Sequence, residues 1–206
     1  MAEATSGAVD VPIGNHYDKY AAKNPIARKL MAGFMAALDA ALPNEKPATV
    51  FELGMGEGEV TERVRARYGD VAITGLDLPD AGLAAHWNLR HLNGLFGDAG
   101  ALPVRSGSCD LVLAIEVLEH LPDPRAAIRE LARVARGDVV VSVPNEPTWR
   151  ALNLVRGSYI KELGNTPGHI QHWSAKSFVA MVGEYFEVVS VAKPLPWTVV
   201  RARVRA

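Results

Sequence analysis

The sequence predicts an α/β domain, a mostly parallel sheet with helices on both faces. Three observations carry that reading. Strand-like and helix-like runs alternate from Thr49 to Val143, the pattern of parallel strands joined by helical crossovers. The first strand passes straight into a Gly-rich turn that opens a helix. The last two strand-like runs are joined by a Pro-containing turn too short for a helical crossover, so they pair antiparallel.

Taken in order, residues 1–15 are small, polar and aperiodic, and a disordered N-terminus is expected. Residues 16–206 read as a single domain. Asn24 suits an N-cap and Pro25 the first helical position. Ile26, Leu30, Phe34 and Leu38 then draw an apolar stripe down a helix that ends near Pro43. With Tyr17 and Tyr20 ahead of it, the segment 16–43 is a candidate lid. Thr49-Val50-Phe51 is the first strand, and the helix after the Gly-rich turn runs to about Tyr68. Val71 to Asp77 is the second strand, residues 80–92 a helix capped by Asp80, and Leu95 to Ala99 a short third strand with its exit. Asp110 to Glu116 is a fourth, buried strand, with Cys109 a small core residue at its start. A helix from Pro124 to about Arg136 is closed by Gly137 as a C′ glycine, and Val139 to Val143 is the fifth strand. The stretch 144–173 breaks the rhythm: a short helix through Val155, an irregular run from Gly157 to Gly168, then His169-Ile170-Gln171-His172-Trp173. An excursion this long reads as a substrate-side insertion. Ser174 caps the last helix, and Phe186–Val191 and Trp197–Val204 are the final strand pair. Arg201, Arg203 and Arg205 read as the solvated face of an edge strand.

The chemistry concentrates at the Gly-rich turn, Glu52-Leu-Gly-Met-Gly-Glu-Gly58. Gly54, Gly56 and Gly58 let the backbone approach a ligand closely, and the exposed amides and helix N-terminus face it. A nicotinamide or flavin site uses the same device, so the glycines leave the ligand open. Glu52 and Glu57 would repel a pyrophosphate and attract the ammonium and sulfonium of S-adenosylmethionine, with Glu52 able to anchor the methionine end. Asp77 follows Gly58 by nineteen residues (77 − 58), the distance at which such folds place a carboxylate on ribose hydroxyls. Asp98 falls on the same sheet edge, where it can accept from an adenine amino group.

These motifs, with Gly75-Leu76-Asp77, Gly97-Asp98-Ala99 and Glu119-His120, resemble those of class I S-adenosylmethionine-dependent methyltransferases, in the group that includes quinone and natural-product methylases. The resemblance runs from about residue 15 to the end and is thinner over 144–173. It implies a three-layer Rossmann-like fold with a seven-stranded sheet in the order 3-2-1-4-5-7-6, strand 7 antiparallel. It also implies S-adenosylmethionine as cofactor and S-adenosylhomocysteine as product. The cofactor contacts implied are the Gly-rich loop, Asp77 with Leu78, Asp98 with Ala99, Glu116 and His120 after the fourth strand, and Tyr17 and Tyr20. The segment Ala84-Ala85-His86-Trp87-Asn88 matches no subfamily pattern.

An acceptor that must lose a proton needs a base, and His169, His172 and His120 are the candidates. Trp149, Tyr159 and Trp173 are candidate walls of an acceptor pocket. His169 and His172 sit three apart, but without an acid or cysteine beside them in sequence no metal is expected. The favoured function is O-methylation of a small phenolic, quinone-like or natural-product acceptor, with N- or C-methylation open. An NAD(P)-dependent oxidoreductase and a non-catalytic cofactor-binding subunit compete with it. The chain is 49% hydrophobic and 22% charged with formal net charge −1, which gives no electrostatic footprint for nucleic acid. No signal pattern and no apolar run near ~18 residues is present, so a cytoplasmic protein, monomer or homodimer, is expected.

Overall fold

The structure, a computed structural model, describes residues 25–155 and 163–205. Its strands are β1 (Thr49–Leu53), β2 (Ala72–Asp77), β3 (Gly94–Phe96), β4 (Cys109–Ile115), β5 (Ala135–Pro144), β6 (Glu187–Ala192) and β7 (Trp197–Arg203). Its helices are α1 (Pro25–Ala41), α2 (Glu59–Tyr68), α3 (Ala81–Arg90), α4 (Pro124–Val134), α5 (Glu146–Val155) and α6 (Ala175–Tyr185), with a 3₁₀ turn at Leu118–His120. All seven strands form one sheet in the order β3-β2-β1-β4-β5-β7-β6. β1 to β5 are parallel to one another, and β7 is antiparallel to both β5 and β6. The expected topology is what the chain adopts.

The central strands are apolar on both faces because each face is covered. Phe51, Leu53, Val112, Ala114, Val139 and Val141 face one way, packed under Ile128 and Leu131 of α4 and Phe178 and Val182 of α6. Val50, Leu111, Leu113 and Val140 face the other, under Phe34 and Leu38 of α1 and Val60 and Val64 of α2. The α1 stripe is therefore a packing surface. At the amino ends of the strands, Asp110 ties β4 to β1: its Oδ2 accepts the N–H groups of Ala48 and Thr49 at 3.0 and 2.9 Å. Arg136 donates to its other oxygen at 2.7 Å, and this bond holds the Asp110 carboxyl well below the usual carboxylate range. The caps expected from sequence form, Asp80 Oδ1 accepting from Gly82 and Leu83 and Ser174 Oγ from Ser177.

Two expectations are corrected. α4 ends at Val134, and Gly137 lies inside β5, where a side chain would strike the Asp110 carbonyl at 2.4 Å. It permits two strands to approach and caps no helix. β7 lies between β5 and β6, so its arginines do not guard an edge. Arg201 and Arg203 both donate to Asp138 Oδ1, at 2.8 and 3.1 Å, and Arg205 donates to carbonyls at the end of α6.

Candidate active site

The carboxyl ends of parallel strands are where turns present backbone amides to a ligand. After β1, Gly54, Gly56 and Gly58 all take positive φ, at 72°, 52° and 91°. The Gly54 N–H donates to the Leu76 carbonyl at 2.7 Å, and a Cβ on Gly54 would lie 2.2 Å from Val117 Cγ2. Angle and space both demand glycine there. Met55 folds over Gly75 of β2, where a Cβ would meet its sulfur at 2.2 Å, so Gly75 is fixed by close packing.

The loop is pinned to β2 by Asp77. Its Oδ2 accepts the Gly56 N–H at 2.7 Å and its Oδ1 the Leu78 N–H at 2.8 Å. Burial is the largest influence on this carboxyl and raises its pKa, with the two amides pulling the other way. A carboxylate offers about four lone-pair positions, so two stay available for a diol. The Leu78 side chain is exposed beside it. The Gly97 N–H donates to the Asp77 carbonyl at 3.0 Å, which sets exposed Asp98 and half-buried Ala99 on the same edge, as expected. Asp98 Oδ1 accepts the Gly100 N–H at 2.8 Å.

Glu52 is placed otherwise than expected. It is only 2% exposed, beneath the loop, and the Thr61 hydroxyl of α2 donates to it. Desolvation, with Asp77 adding to it, pushes its pKa up to about 8 against the Thr61 hydrogen bond. From this position its carboxyl braces the loop through Thr61. Trp87 is a loop contact that sequence reasoning missed. Its indole N–H donates to the Gly56 carbonyl at 2.7 Å while its ring stacks on Phe96 with centroids 4.7 Å apart. A single tryptophan thirty-one residues past Gly56 (87 − 56), on a helix with no clear stripe, gave no signal.

At the end of β4, Glu116 takes φ 59°, a left-handed conformation that costs a non-glycine residue ~1–3 kcal/mol. Its surroundings hold it. The Ser142 hydroxyl donates to Oε1 at 2.9 Å and the Trp197 indole to Oε2 at 2.7 Å. The carboxylate is thus turned to β5 and β7, where it supports the kink that carries Val117 onto Gly54. His120 follows in the 3₁₀ turn, its Nδ1 2.9 Å from the Gly168 carbonyl. A carbonyl only accepts, so Nδ1 carries a proton, and Nε2 lies 3.9 Å from Glu119 Oε1.

The 144–173 excursion closes on this turn. His169 is 3% exposed, with Nδ1 3.0 Å from Glu146 Oε1 and its ring edge-on to His120 at 5.0 Å between centroids. His169, a candidate base from sequence, is thus buried with Glu146 as its partner. His172 is exposed, and its Nδ1 lies 3.6 Å from the same Glu146 oxygen. Glu146 is itself 4% exposed, and its Oε2 has no hydrogen-bond partner among the described residues. The two candidate wall tryptophans part company. Trp149 packs on the α1 face beside Trp197 and donates to Thr166 Oγ1 at 2.8 Å, whereas Trp173 packs on the α6 face against Phe178. Tyr17, Tyr20 and Tyr159, with the residues 1–15, lie outside the described residues.

Residues 51–143 match a family model described as a methyltransferase domain. The match places a methyltransferase domain at the core of the chain. Norajmaline N-methyltransferase of Rauvolfia serpentina is 34% identical to it over 100 residues, 45% of this chain and 34% of that protein. Ubiquinone biosynthesis O-methyltransferase of Pseudomonas paraeruginosa is 29% identical over 124 residues, 56% of this chain and 53% of that protein. The chain spans about a third to about half of the length of the curated relatives it matches. A methyltransferase solved in complex with the Trm112 methyltransferase activator of Haloferax volcanii superposes with TM-score 0.69 at 17% identity, over 85% of this chain and 92% of that one. At that identity the likeness is one of fold. S-adenosylmethionine is the cofactor of this class of domain, and S-adenosylhomocysteine its product. The methyltransferase domain fits it at the Gly-rich loop, where a cradle closed to any side chain at Gly54 adjoins a carboxylate with two lone pairs to spare. No helix among the described residues is long and apolar enough to cross a membrane.

Proposed function

We propose that this methyltransferase domain transfers a methyl group from S-adenosylmethionine to a small molecule, at an oxygen of a phenolic, quinone-like or natural-product acceptor. The observation that carries the reading is the Gly-rich loop pinned at Gly56 to Asp77 while Val117 closes over Gly54. When bound, the cofactor supplies a methyl group already activated on a sulfonium. What is left to the chain is to hold two reactants in line and to keep water out, and positioning of that kind contributes ~7–11 kcal/mol in favourable cases. Asp77 binds the ribose diol, and Asp98 meets the adenine amino group. The turn at Glu116–His120 borders the methyl side, because it follows β4 and packs on the loop through Val117.

A hydroxyl acceptor must shed a proton, and His172 takes it at Nε2. Of the two histidines beside Glu146 it alone has an exposed ring, and the carboxylate 3.6 Å from its Nδ1 steadies the cation that forms. Glu146 and His169 form the buried floor that sets this position. A nitrogen acceptor is the second reading, favoured by the N-methyltransferase relatives, and a neutral amine needs no base. Nothing in the near-neutral charge of the chain favours nucleic acid as substrate. The reading keeps the expectation of a soluble, cytoplasmic biosynthetic enzyme.

The test is a calorimetric titration with S-adenosylmethionine and with NAD and NADP, followed by transfer of labelled methyl to catechols, hydroxyquinones and secondary amines. Binding of the first ligand alone, with label on a catechol or quinone, is expected. Binding of a dinucleotide in its place sinks the assignment, and label on amines alone selects the second reading.

A further inference from the structure

Three side chains that the methyl-transfer reading leaves with little to do meet at one point. Glu119 and His120 stand in the 3₁₀ turn after β4, and His169 arrives from the far end of the excursion, forty-nine residues on (169 − 120). One ligand-type atom from each lies within 4.8 Å of the others. We propose that Glu119, His120 and His169 bind one divalent transition-metal ion.

The hydrogen bonds around the cluster argue for it more than the clustering does. Metal-bound imidazoles almost always donate their outer N–H to a carbonyl or carboxylate, which fixes the tautomer and aims the inner lone pair at the ion. Both histidines have such a partner. His120 Nδ1 is 2.9 Å from the Gly168 carbonyl, and His169 Nδ1 is 3.0 Å from the Glu146 carboxylate. Each ring is left with its lone pair on Nε2, and His120 Nε2 is 3.9 Å from Glu119 Oε1. The Glu119 carboxyl, 1% exposed, offers an oxygen ligand in a region where a cation's field is little screened.

The donor set selects the ion. Two imidazole nitrogens and one carboxylate oxygen suit Zn²⁺, Co²⁺, Ni²⁺ or Mn²⁺, and offer too few oxygens for Ca²⁺ or Mg²⁺. With metal–ligand bonds near ~2.1 Å the ligand atoms of a tetrahedral site stand roughly 3.4 Å apart, so the cluster contracts by about 1 Å on loading. Three protein ligands leave at least one coordination position open, the arrangement of sites that also take a water or a substrate oxygen. The ion would clamp the turn beneath the Gly-rich loop to the excursion that follows β5. Sequence spacing paired His169 with His172 and led to no expected metal. In the structure these two share Glu146, and the partners of His169 come from the turn after β4.

The experiment uses the full chain, free of any histidine tag and stripped with chelator. It is titrated with Co²⁺, read by its visible absorption, and with Zn²⁺ by calorimetry, neither depending on methyl transfer. Saturation at one ion per chain is expected. Glu119→Gln and His169→Gln should each weaken binding at least tenfold, Glu146→Gln roughly tenfold as an outer partner, and His91→Gln not at all. Imidazole nitrogen NMR on the unaltered chain covers the case in which a variant does not fold: Zn²⁺ should move the Nε2 signals of His120 and His169 and leave His91 in place. Absence of saturable binding, or an ion that moves other histidines, overturns the site. Since the readout is the ion alone, a failure here leaves the S-adenosylmethionine titration untouched, and the converse also holds.

Discussion

The two sides of this site are built from different materials. On the cofactor side each contact has a backbone group of the Gly-rich loop at one end: Gly54 to the Leu76 carbonyl, Gly56 to Asp77, and Trp87 to the Gly56 carbonyl. On the acceptor side every contact is made by a side chain, to a carbonyl, a carboxylate or an indole. His120 reaches Gly168, His169 reaches Glu146, and Glu116 reaches Trp197. A backbone cradle depends on where glycines are permitted and little on anything else, so it can be kept while the chemistry beside it changes. A side-chain network depends on every member. The cofactor side should therefore break through shape, and the acceptor side through the loss of a group.

The sharpest test of that contrast is Gly54→Ala. The new methyl group would sit at φ 72° and 2.2 Å from Val117 Cγ2, so it meets backbone strain and overpacking together. S-adenosylmethionine affinity is expected to fall about 100-fold or more, from ~3 kcal/mol of combined cost. Adding Val117→Ala should recover part of it by relieving the clash and not the angle. Full affinity in Gly54→Ala alone would mean that the cradle is not shaped as described. Calorimetry reads all three proteins.

His172→Ala probes the other side by deletion. It should leave cofactor affinity within about twofold and lower turnover of a hydroxyl acceptor by ~10²-fold, the ordinary size of a general-base contribution. His169→Gln should lower it less, since that ring is buried and works through Glu146. An unchanged rate in His172→Ala with a hydroxyl acceptor removes the base assignment. An unchanged rate with an amine is the outcome the nitrogen reading requires.

The same contrast explains what the chain disclosed before its structure was considered. Strand alternation, the Gly-rich turn and the short final connection are local patterns, and all seven strands form in the expected order, although β5 starts at Ala135, ahead of the expected Val139. The places of Asp77 and Asp98 on the carboxyl edge were legible for the same reason, since Asp77 ends β2 and Asp98 follows β3. The burial of Glu52 was not legible because it is set by α2, whose Thr61 comes back over it, and spacing carries no information about burial. Gly137 misled because a glycine after a helix and a glycine at a strand crossing look alike in sequence. The meeting of Glu119, His120 and His169 could not be read at all, because it depends on how the excursion folds back onto the turn after β4.

Glu52→Gln sharpens the comparison through pH. In the folded chain this carboxyl keeps its proton up to about pH 8, whereas the unfolded chain releases it near 4.5. Between those values the native state binds more protons than the unfolded state, so this group's stabilising contribution is complete below the lower value and is lost as pH rises through the upper one. The glutamine variant lacks that loss. It should melt near the parent at pH 5 and several degrees above it beyond pH 8, at ~2–4 °C per kcal/mol for a chain of this size. The same slope in both proteins removes the neutral-carboxyl assignment. Cofactor affinity at pH 7 should change by less than about threefold, because a brace that is already uncharged loses little in the exchange; a larger fall would restore a direct contact to the methionine end.

Trp87→Phe should give the smallest effect and tests the finest point. Phenylalanine keeps an aromatic ring to stack on Phe96 and to fill the space above Gly94, and removes only the indole N–H that donates to the Gly56 carbonyl. One hydrogen bond of this kind is worth ~0.5–1.5 kcal/mol, so S-adenosylmethionine should bind roughly 3–10-fold more weakly. Thermal stability should move less than in Trp87→Ala, which also opens a cavity beside β3. If Trp87→Phe binds the cofactor like the parent, the Gly-rich loop is held by Asp77 and Val117 alone, and α3 is only a cover. If the loss matches that of Trp87→Ala, the hydrogen bond carries the whole contribution of α3 to the cradle. A backbone-built site then still hangs on one side chain that no spacing rule could have selected.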